Sequence, residues 1–493
     1  MVTENTPQEV NIQLEPLNKL GENINEEVII EPEPIQLRVY KQRWVVLFTV
    51  ALLNNTNTIS WISYAPSGNY VNSFYGENSA SWLSLIFMIC TIPVGIFAMW
   101  AGRKWGLRSS ILIAGWTNGI GAVIRVISSL EIVPQEHRFA ICMTGQGIAA
   151  VAYPFIMFLP TKVAGSWFPD TQRAIATTIG VMSNPLGVLL ANIMSPIIVR
   201  SPDGVIWLNL FTCVPSVIAM LIATFGVNRS KPKHPPTISA SQPQMNFTSG
   251  LKSCFSSKQY IVLLIVMGGG IGMFNCLYTV MMELMCPAGY SNFFAGVCAA
   301  LMIIGGVFGA TASGTFVDRT KYYEETLKGC LAAAVMCGLF FLALTTHGKI
   351  PIFLGIASFF FGIFGLATYP IGLELASECT FPVSETTSTG LIVLSGQLQS
   401  VLFVFLVKKF ARPLQPEWMH LQVCQLTPED EINTPKDYTV SIYVFSFLAS
   451  ILVFLVLCCF NPEYKRLEAE RGKITKKINK NQDVSGPEVQ HLQ

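Results

Sequence analysis

Twelve apolar stretches separated by polar loops make up most of this chain. A helix needs about 20 consecutive apolar residues to cross the hydrocarbon of a bilayer, and each stretch reaches that length. They cover residues 44–64, 82–100, 109–129, 139–160, 173–198, 205–227, 260–284, 293–316, 326–344, 350–375, 386–407 and 440–460. The pattern predicts an all-α polytopic membrane protein with twelve transmembrane helices.

The amino-acid composition argues against several classes of function. Hydrophobic residues make up 51% of the chain and charged residues 13%, with a net charge of +2 and no dense basic stripe, so we expect no nucleic-acid partner. The 13 cysteines lie mostly inside apolar spans, and with only five histidines and no CxxC array we expect no metal site. Neither a Ser-His-Asp pattern nor a phosphate loop is evident. We therefore expect no enzyme and no cofactor.

Basic residues predict the orientation. The loops 65–81 and 285–292 contain no Lys or Arg, whereas the loops after the second, sixth and eighth spans and the C-terminal tail are rich in both. Because basic loops stay in the cytosol, both termini should be cytosolic. Residues 1–35 are polar and acidic and do not resemble a cleaved signal peptide. We expect an integral multi-pass protein, in either the plasma or the lysosomal membrane.

The spans divide into two halves. We predict a disordered cytosolic tail at 1–42, a six-helix bundle at 43–227, a cytosolic linker at 228–258, a second six-helix bundle at 259–460 and a cytosolic tail at 461–493. The halves repeat: Tyr153-Pro154 and Tyr369-Pro370, and likewise Arg103 and Arg319, are separated by the same 216 residues. Parallel six-span repeats are typical of secondary transporters that hold substrate between two pseudo-symmetric bundles.

A cytosolic loop motif supports this interpretation. The run Gly314-Thr315-Phe316-Val317-Asp318-Arg319 resembles the G-x-x-x-D-R loop of the major facilitator superfamily. Asp318 and Arg319 are therefore predicted gating residues, since such loops make charge-dependent contacts that can lock one conformation. The first copy, Ala101-Gly102-Arg103-Lys104, lacks the acid, so we expect an asymmetric latch.

Longer stretches resemble one branch of this superfamily. They are Tyr40-Lys-Gln-Arg-Trp-Val-Val-Leu47, Ser60-Trp-Ile-Ser-Tyr64, Trp105-Gly-Leu-Arg108 and Tyr369-Pro-Ile-Gly-Leu-Glu374. Together they are similar to solute carrier family 49, the feline leukaemia virus subgroup C receptor-related carriers; the run at 54–57 and Ala65-Pro66 are most similar to its A3 branch. The resemblance implies a facilitative carrier of a small solute. Relatives are associated with choline and ethanolamine, haem export or a vitamin. A receptor or scaffold remains the alternative.

The resemblance also implies a substrate site. In choline-handling relatives a Trp at the position of Trp61 forms one wall of an aromatic cage, in which cation–π attraction holds a quaternary ammonium. The Tyr of the opposing wall is replaced here by Asn275, with Tyr278 about one turn on. Tyr64 follows Trp61 by three residues. The alternative for Trp61 is packing or interfacial anchoring.

Polar residues within the spans supply further candidates. Asn54, Asn55 and Asn57 crowd one span, and since amides in hydrocarbon require partners or water, they either line the cavity or bond neighbouring helices. Gln146 and Tyr153 share a helix face, as do Asn118 and Arg125, although Arg125 could instead snorkel. Tyr369 and Gln397 complete the predicted substrate contacts. Asn184 and Asn192, with Pro185 between them, suggest that the fifth span is a broken, cavity-lining helix.

The acids Glu374, Glu378 and Glu385 bracket the cytosolic ends of spans ten and eleven. Their position near an interface indicates a gating or structural role, and we interpret Glu374 and Glu378 as gating residues. No acid lies deep within any span, which argues against obligatory proton coupling. The partners implied by the sequence are a small-molecule solute and the bilayer, and we expect a monomer.

Overall fold

The computed structural model describes residues 37–77, 79–348, 350–413 and 436–470. Twelve helices within these ranges are long and apolar enough to cross a membrane, which confirms the predicted count. In chain order the helices are α1 (Gln42–Ile62), α2 (Gly68–Tyr75), α3 (Ser79–Lys104), α4 (Gly106–Ser128), α5 (Gln135–Trp167), α6 (Arg173–Ile198), α7 (Val205–Gly226), α8 (Ile238–Ser241), α9 (Phe247–Ser256), α10 (Lys258–Met285), α11 (Asn292–Thr320), α12 (Tyr323–Thr345), α13 (Pro351–Thr380), α14 (Glu385–Phe410) and α15 (Thr439–Cys459).

The membrane-spanning helices form two bundles of six. Helices α1 and α3–α7 make the first bundle and α10–α15 the second, while α2, α8 and α9 are short and lie outside them. The strands seen in the described residues are β1 (Arg412–Pro413) and β2 (Lys436–Asp437), an antiparallel pair of two residues each in the loop before α15. The all-α, two-bundle architecture agrees with the prediction.

Helix ends differ most from prediction at α5. The apolar pattern predicted 139–160, whereas the helix has 33 residues, from Gln135 to Trp167. At 1.5 Å per residue it is roughly 50 Å long, longer than the hydrocarbon thickness of about 30 Å. The helix continues through Pro160 and carries its last turns beyond the membrane on the face that charge assigns to the cytosol, called the cytosolic face below.

Small residues allow the helices of the second bundle to approach closely. A methyl group at Gly309 in α11 would collide with the backbone of Ile363 in α13, and one at Gly362 in α13 would collide with the backbone of Met302. Such small-residue contacts are a common means of packing helices in lipid, where apolar surface is already solvated by acyl chains.

The linker and the start of the C-terminal tail are structured. We predicted a polar hinge at 228–258, but it contains α8 and α9, and residues 465–470 of the predicted tail are helical. Polar side chains of both segments reach into the cytosolic ends of the two bundles. The predicted N-terminal tail is described only from residue 37, so most of it lies outside the described residues.

Candidate functional site

A tyrosine and a glutamine meet between the bundles. Gln397 in α14 donates a hydrogen bond to the Tyr153 hydroxyl in α5 (3.3 Å), which joins the two bundles. Tyr369, the pseudo-symmetric counterpart of Tyr153, is half-buried in α13. The structure thus brings together Tyr153 and Gln397, two of the residues predicted to contact substrate, from the two halves.

Trp61 lies beside this group. Its ring centroid is 6.2 Å from that of Tyr153, and its indole N–H donates to the Ser84 carbonyl at 3.2 Å. The indole nitrogen is thus satisfied within the first bundle while the ring remains half-buried. Tyr153 also packs against Phe87, with centroids 6.3 Å apart. The aromatic partner of Trp61 is Tyr153, from its own bundle.

The two α10 candidates occupy a different position. The Tyr278 hydroxyl accepts a hydrogen bond from the Asn192 amide in α6 at 2.8 Å, a cross-bundle contact nearer the helix ends that lie opposite the cytosolic face. Asn275 is half-buried one turn earlier. Among the ring contacts of the described residues, Tyr278 does not pair with Trp61. In this conformation Tyr278 therefore does not take the place of the missing cage wall.

Three other predicted contacts lie inside the first bundle. Tyr64, Asn57 and Gln146 are each at most 1% exposed. The Asn57 amide donates to Asn118 and to the Ala149 carbonyl, both at 2.9 Å, and the Gln146 amide donates to the carbonyls of residues 60 and 83. These contacts join α1 to α4 and α5, and α5 to α3. The three side chains hold helices together here and do not face the space between the bundles.

The same applies to the neighbouring amides. Asn54 donates to the Gly180 carbonyl at 2.8 Å and Asn55 to the Ser183 carbonyl at 3.1 Å, both in α6. Asn184 returns a 2.7 Å bond to Thr58. Of the two alternatives that the sequence left open for the asparagines of α1, the structure favours interhelical hydrogen bonding.

Arg125 does not snorkel. It is fully buried, and its guanidinium donates to the Tyr64 hydroxyl at 2.9 Å, to the Ser60 carbonyl at 3.2 Å and to the Ser63 hydroxyl at 3.2 Å. It also lies 4.5 Å from the centre of the Tyr64 ring. Asn209 accepts from Tyr64 at 2.6 Å. Tyr64 is thus part of a polar core in the first bundle.

The cytosolic ends of the bundles are joined by many polar contacts. Asp318, at the end of α11, accepts hydrogen bonds from the backbone N–H groups of Ala174 and Ile175, each at 2.9 Å. These groups belong to the first turn of α6, where backbone donors lack partners within the helix and the helix dipole favours an anion. Asp318 therefore spans the two bundles, as a latch requires. Arg319 is exposed.

The predicted gating acids face the same helix. Glu378 lies 3.6 Å from the Arg173 guanidinium, and Glu374 accepts a hydrogen bond from the Thr177 hydroxyl. All four side chains are almost fully buried. Since α13 and α6 belong to different bundles, these contacts also cross the interface. The cytosolic side is thus closed, as it is in every state of a two-bundle carrier other than the inward-facing one.

The corresponding loop of the first bundle, at residues 101–104, contacts the second bundle in a different way from the Asp318 loop. Gly102 is the pseudo-symmetric counterpart of Asp318, so it supplies no carboxylate to the start of α14. Instead, Arg103 donates to the backbone carbonyl of Gln244 in the linker at 2.6 Å, and the Gln244 amide donates to Glu385 in α14 at 2.7 Å. A linker residue therefore bridges the two bundles where the sequence lacks its acid.

The tail completes this closure. Arg466 lies 3.6 Å from Glu385 and 4.0 Å from Glu378, and Glu470 lies 3.2 Å from Arg173. Burial of Glu470 disfavours its charged form, but the Arg173 guanidinium, a hydrogen bond from Ser239 and the Arg466 charge outweigh it and lower the pKa of Glu470 below its ordinary value. The tail acid is therefore ionised at neutral pH.

Sequence reasoning missed Arg173, Gln244, Arg466 and Glu470. One signal was available for Arg173, because Glu374 and Glu378 are four residues apart on one helix face and buried acids need a basic partner. The spacing of Arg466 and Glu470 is likewise four residues. Nothing in the sequence indicates where Gln244 docks.

Comparison with known proteins agrees with this geometry. The family model described as "Major Facilitator Superfamily" matches residues 44–404. The chain is 36% identical over 457 residues to solute carrier family 49 member A3 of Xenopus tropicalis, covering 91% of this chain and 93% of that protein. The chain belongs to the major facilitator superfamily and, within it, to solute carrier family 49. The resemblance seen in the sequence is thereby confirmed.

Two further comparisons concern a more distant sequence relative and a solved structure. The chain is 29% identical over 387 residues to the choline/ethanolamine transporter flvcr2b of Danio rerio, covering 75% of this chain and 78% of that protein. The solved structure of the proton:xylose symporter XylE has a TM-score of 0.65 at 14% identity and covers 87% of this chain and 98% of its own. At that identity the likeness shows the fold alone. This family 49 member is an integral multi-pass transporter, and its family and fold are those of solute carriers and not of enzymes.

Proposed function

We propose that this carrier moves a small organic cation of the choline or ethanolamine type, by alternating access, through the space between its two bundles. One observation carries the proposal: the half-buried Trp61 ring pairs with Tyr153, and Gln397 reaches the Tyr153 hydroxyl from the opposite bundle. Aromatic faces attract a quaternary or primary ammonium group, by about 0.5–2 kcal/mol according to how far the site excludes water. The Gln397 amide can bond a solute hydroxyl.

The named relatives support this solute class. The protein called a choline/ethanolamine transporter shares 29% identity with this chain, and by resemblance such relatives carry a Trp at the position of Trp61. The opposing Tyr is replaced by Asn275, and Tyr278 is engaged by Asn192. We infer that the aromatic contacts come mainly from the first bundle, so this carrier holds the cation less completely enclosed than a two-walled cage would.

The closed cytosolic face supports the transport cycle. Solute would enter from the extracellular side, bind at Trp61 and Tyr153, and leave when the contacts of Asp318 and Glu378 with α6 break. Rocking of two bundles about a midplane site is the general mechanism of this architecture.

Uptake measurements test the proposal. Radiolabelled choline and ethanolamine are offered to proteoliposomes that contain the wild-type protein, Trp61→Ala or the control Trp116→Ala, a lipid-facing Trp of α4 that is 46% exposed. We expect uptake by the wild type and by Trp116→Ala, and its loss in Trp61→Ala. If the wild-type protein accumulates neither solute above empty vesicles, the cation proposal is wrong. Metabolite profiles of expressing and deleted cells would then distinguish a haem or vitamin carrier from a receptor without transport.

A further inference from the structure

We propose that residues 461–470, here called the C-terminal clasp, form a third component of the cytosolic gate: a segment anchored on the second bundle that grips the first bundle only while the carrier faces outward. The proposal rests on alternating access but not on the choice of solute. It assigns a gating role to a segment that lies outside the twelve membrane helices.

The clasp is fixed to the second bundle at its start. The backbone N–H of Asn461 donates to the Gln259 side chain at 2.9 Å. The Tyr464 hydroxyl accepts from the backbone N–H of Glu324 at 3.1 Å, and its ring lies 6.1 Å from that of Tyr323. All these partners belong to α10 and α12 or their ends. The clasp should therefore move with the second bundle.

Its last turn reaches the first bundle through two charges. Arg466 lies 3.5 Å from the Gly165 carbonyl of α5, and Glu470 lies 3.2 Å from the Arg173 guanidinium of α6. Glu470 also accepts a 2.5 Å hydrogen bond from Ser239 of the linker. Opening of the cytosolic face separates α5 and α6 from the second bundle, so these contacts must break in each cycle.

Charge complementarity explains why this segment docks there. The site presents Glu378 and Glu385 to Arg466 and presents Arg173 to Glu470. Arg466 and Glu470 are 2% and 8% exposed, respectively, although charged side chains are rarely buried unless they are paired. Without the clasp, Glu378 would lose one of its two arginines, Glu385 would lose its arginine, and Arg173 would lose Glu470. Because an unpaired buried charge is costly, the closed state depends on the clasp.

The segment contains its own matched controls. Lys465 and Glu468 carry the same charges as Arg466 and Glu470 but point into solvent. Lys465→Gln changes the net charge of the clasp as much as Arg466→Gln does, and Glu468→Gln as much as Glu470→Gln. The two pairs therefore separate docking from a general effect of charge.

Cysteine labelling tests the clasp. A cysteine is placed at Gln397, between the bundles, and a membrane-impermeant maleimide is added to inside-out vesicles, where it reaches that cysteine only through an open cytosolic gate. The protein without this cysteine gives the background. We expect Arg466→Gln and Glu470→Gln each to raise the labelling rate about fivefold or more, and Lys465→Gln and Glu468→Gln to leave it unchanged.

Labelling in right-side-out vesicles must fall in the same two variants, because a shift toward the inward-facing state removes access from outside; a misfolded protein would label from both sides. Arg466→Lys keeps the charge and should label more slowly than Arg466→Gln. Equal cytosolic labelling of the wild type, Arg466→Gln and Glu470→Gln would overturn the proposal, as would equal increases in the exposed-pair variants. The labelling rate does not depend on choline uptake, so this test remains valid even if the solute proposal fails.

Discussion

The Asp318 carboxylate of the second bundle accepts the backbone N–H of Ala174 at 2.9 Å, at the start of a helix of the first bundle. Its other oxygen accepts from Ile175. Hydrogen bonds to a charged group contribute about 1.5–3 kcal/mol, and this one also benefits from the helix dipole.

Asp318→Asn should therefore weaken the outward-facing state. The amide keeps one acceptor but turns an N–H group toward the N-terminus of α6, and the charge is lost. We expect cytosolic labelling of a cysteine at Gln397 to rise about tenfold, which corresponds to about 1.4 kcal/mol. Arg319→Gln serves as the control, because Arg319 is exposed. Unchanged labelling in a well-delivered Asp318→Asn protein would mean that this loop is merely structural.

Gln244→Ala should open the gate by a smaller amount. It removes the hydrogen bond to Glu385 but leaves the backbone carbonyl that Arg103 contacts. A single hydrogen bond is worth about 0.5–1.5 kcal/mol, or more when its partner is charged, so we expect about threefold faster labelling from the cytosolic side. Gln242→Ala, in the same linker, should behave as wild type. A larger effect at Gln242 would contradict the bridging role.

Asn275→Tyr should raise the apparent affinity for choline. It restores the aromatic residue that relatives are inferred to carry at the opposing wall, and one added cation–π face contributes about 0.5–2 kcal/mol, or roughly 2- to 30-fold in affinity. The measurement is the concentration dependence of choline uptake. Thr279→Tyr, one turn away and exposed, is the control. In the same assay, Trp61→Phe should keep more uptake than Trp61→Ala.

Arg125→Leu should destabilise the protein. The substitution removes the hydrogen bonds that the buried guanidinium donates to Tyr64, Ser60 and Ser63. A hydrogen bond that involves a charged group contributes about 1.5–3 kcal/mol, so the thermal unfolding temperature in detergent should fall by several degrees. Arg108→Leu, an exposed arginine of the same helix, should not change it. Equal stability of Arg125→Leu and wild type would show that the polar core is dispensable.

Epitope tags test the orientation. Insertion at residue 5 and at residue 425, between α14 and α15, should give staining of intact cells only for the second tag, because the basic loops place both termini in the cytosol. The tag positions lie outside the described residues, so the test depends on topology alone. Staining at residue 5 without permeabilisation would reverse the orientation and, with it, the identity of the closed face.

The sequence by itself determined the fold and the family. Hydrocarbon admits only helices with satisfied backbones, so the apolar pattern specified the number of membrane helices, and repetition of Tyr153 at Tyr369 indicated two related halves. It also indicated Asp318 and Glu378 as gating residues and Trp61 as a candidate site residue. A charged residue at a helix end, or a tryptophan in the middle of an apolar span, indicates contact with a partner side chain or a solute.

The tertiary structure alone decided which polar side chains face the space between the bundles and which face their own bundle. Asn57, Gln146 and Tyr64 lie on helix faces that pack within the first bundle. The periodic pattern of the sequence groups residues on a face but cannot show which neighbouring helix that face contacts. It also brought Gln244 and Arg466, distant in sequence and outside the apolar spans, into the cytosolic gate. Contacts of this kind depend on long-range chain placement, for which polar linkers carry no local signal.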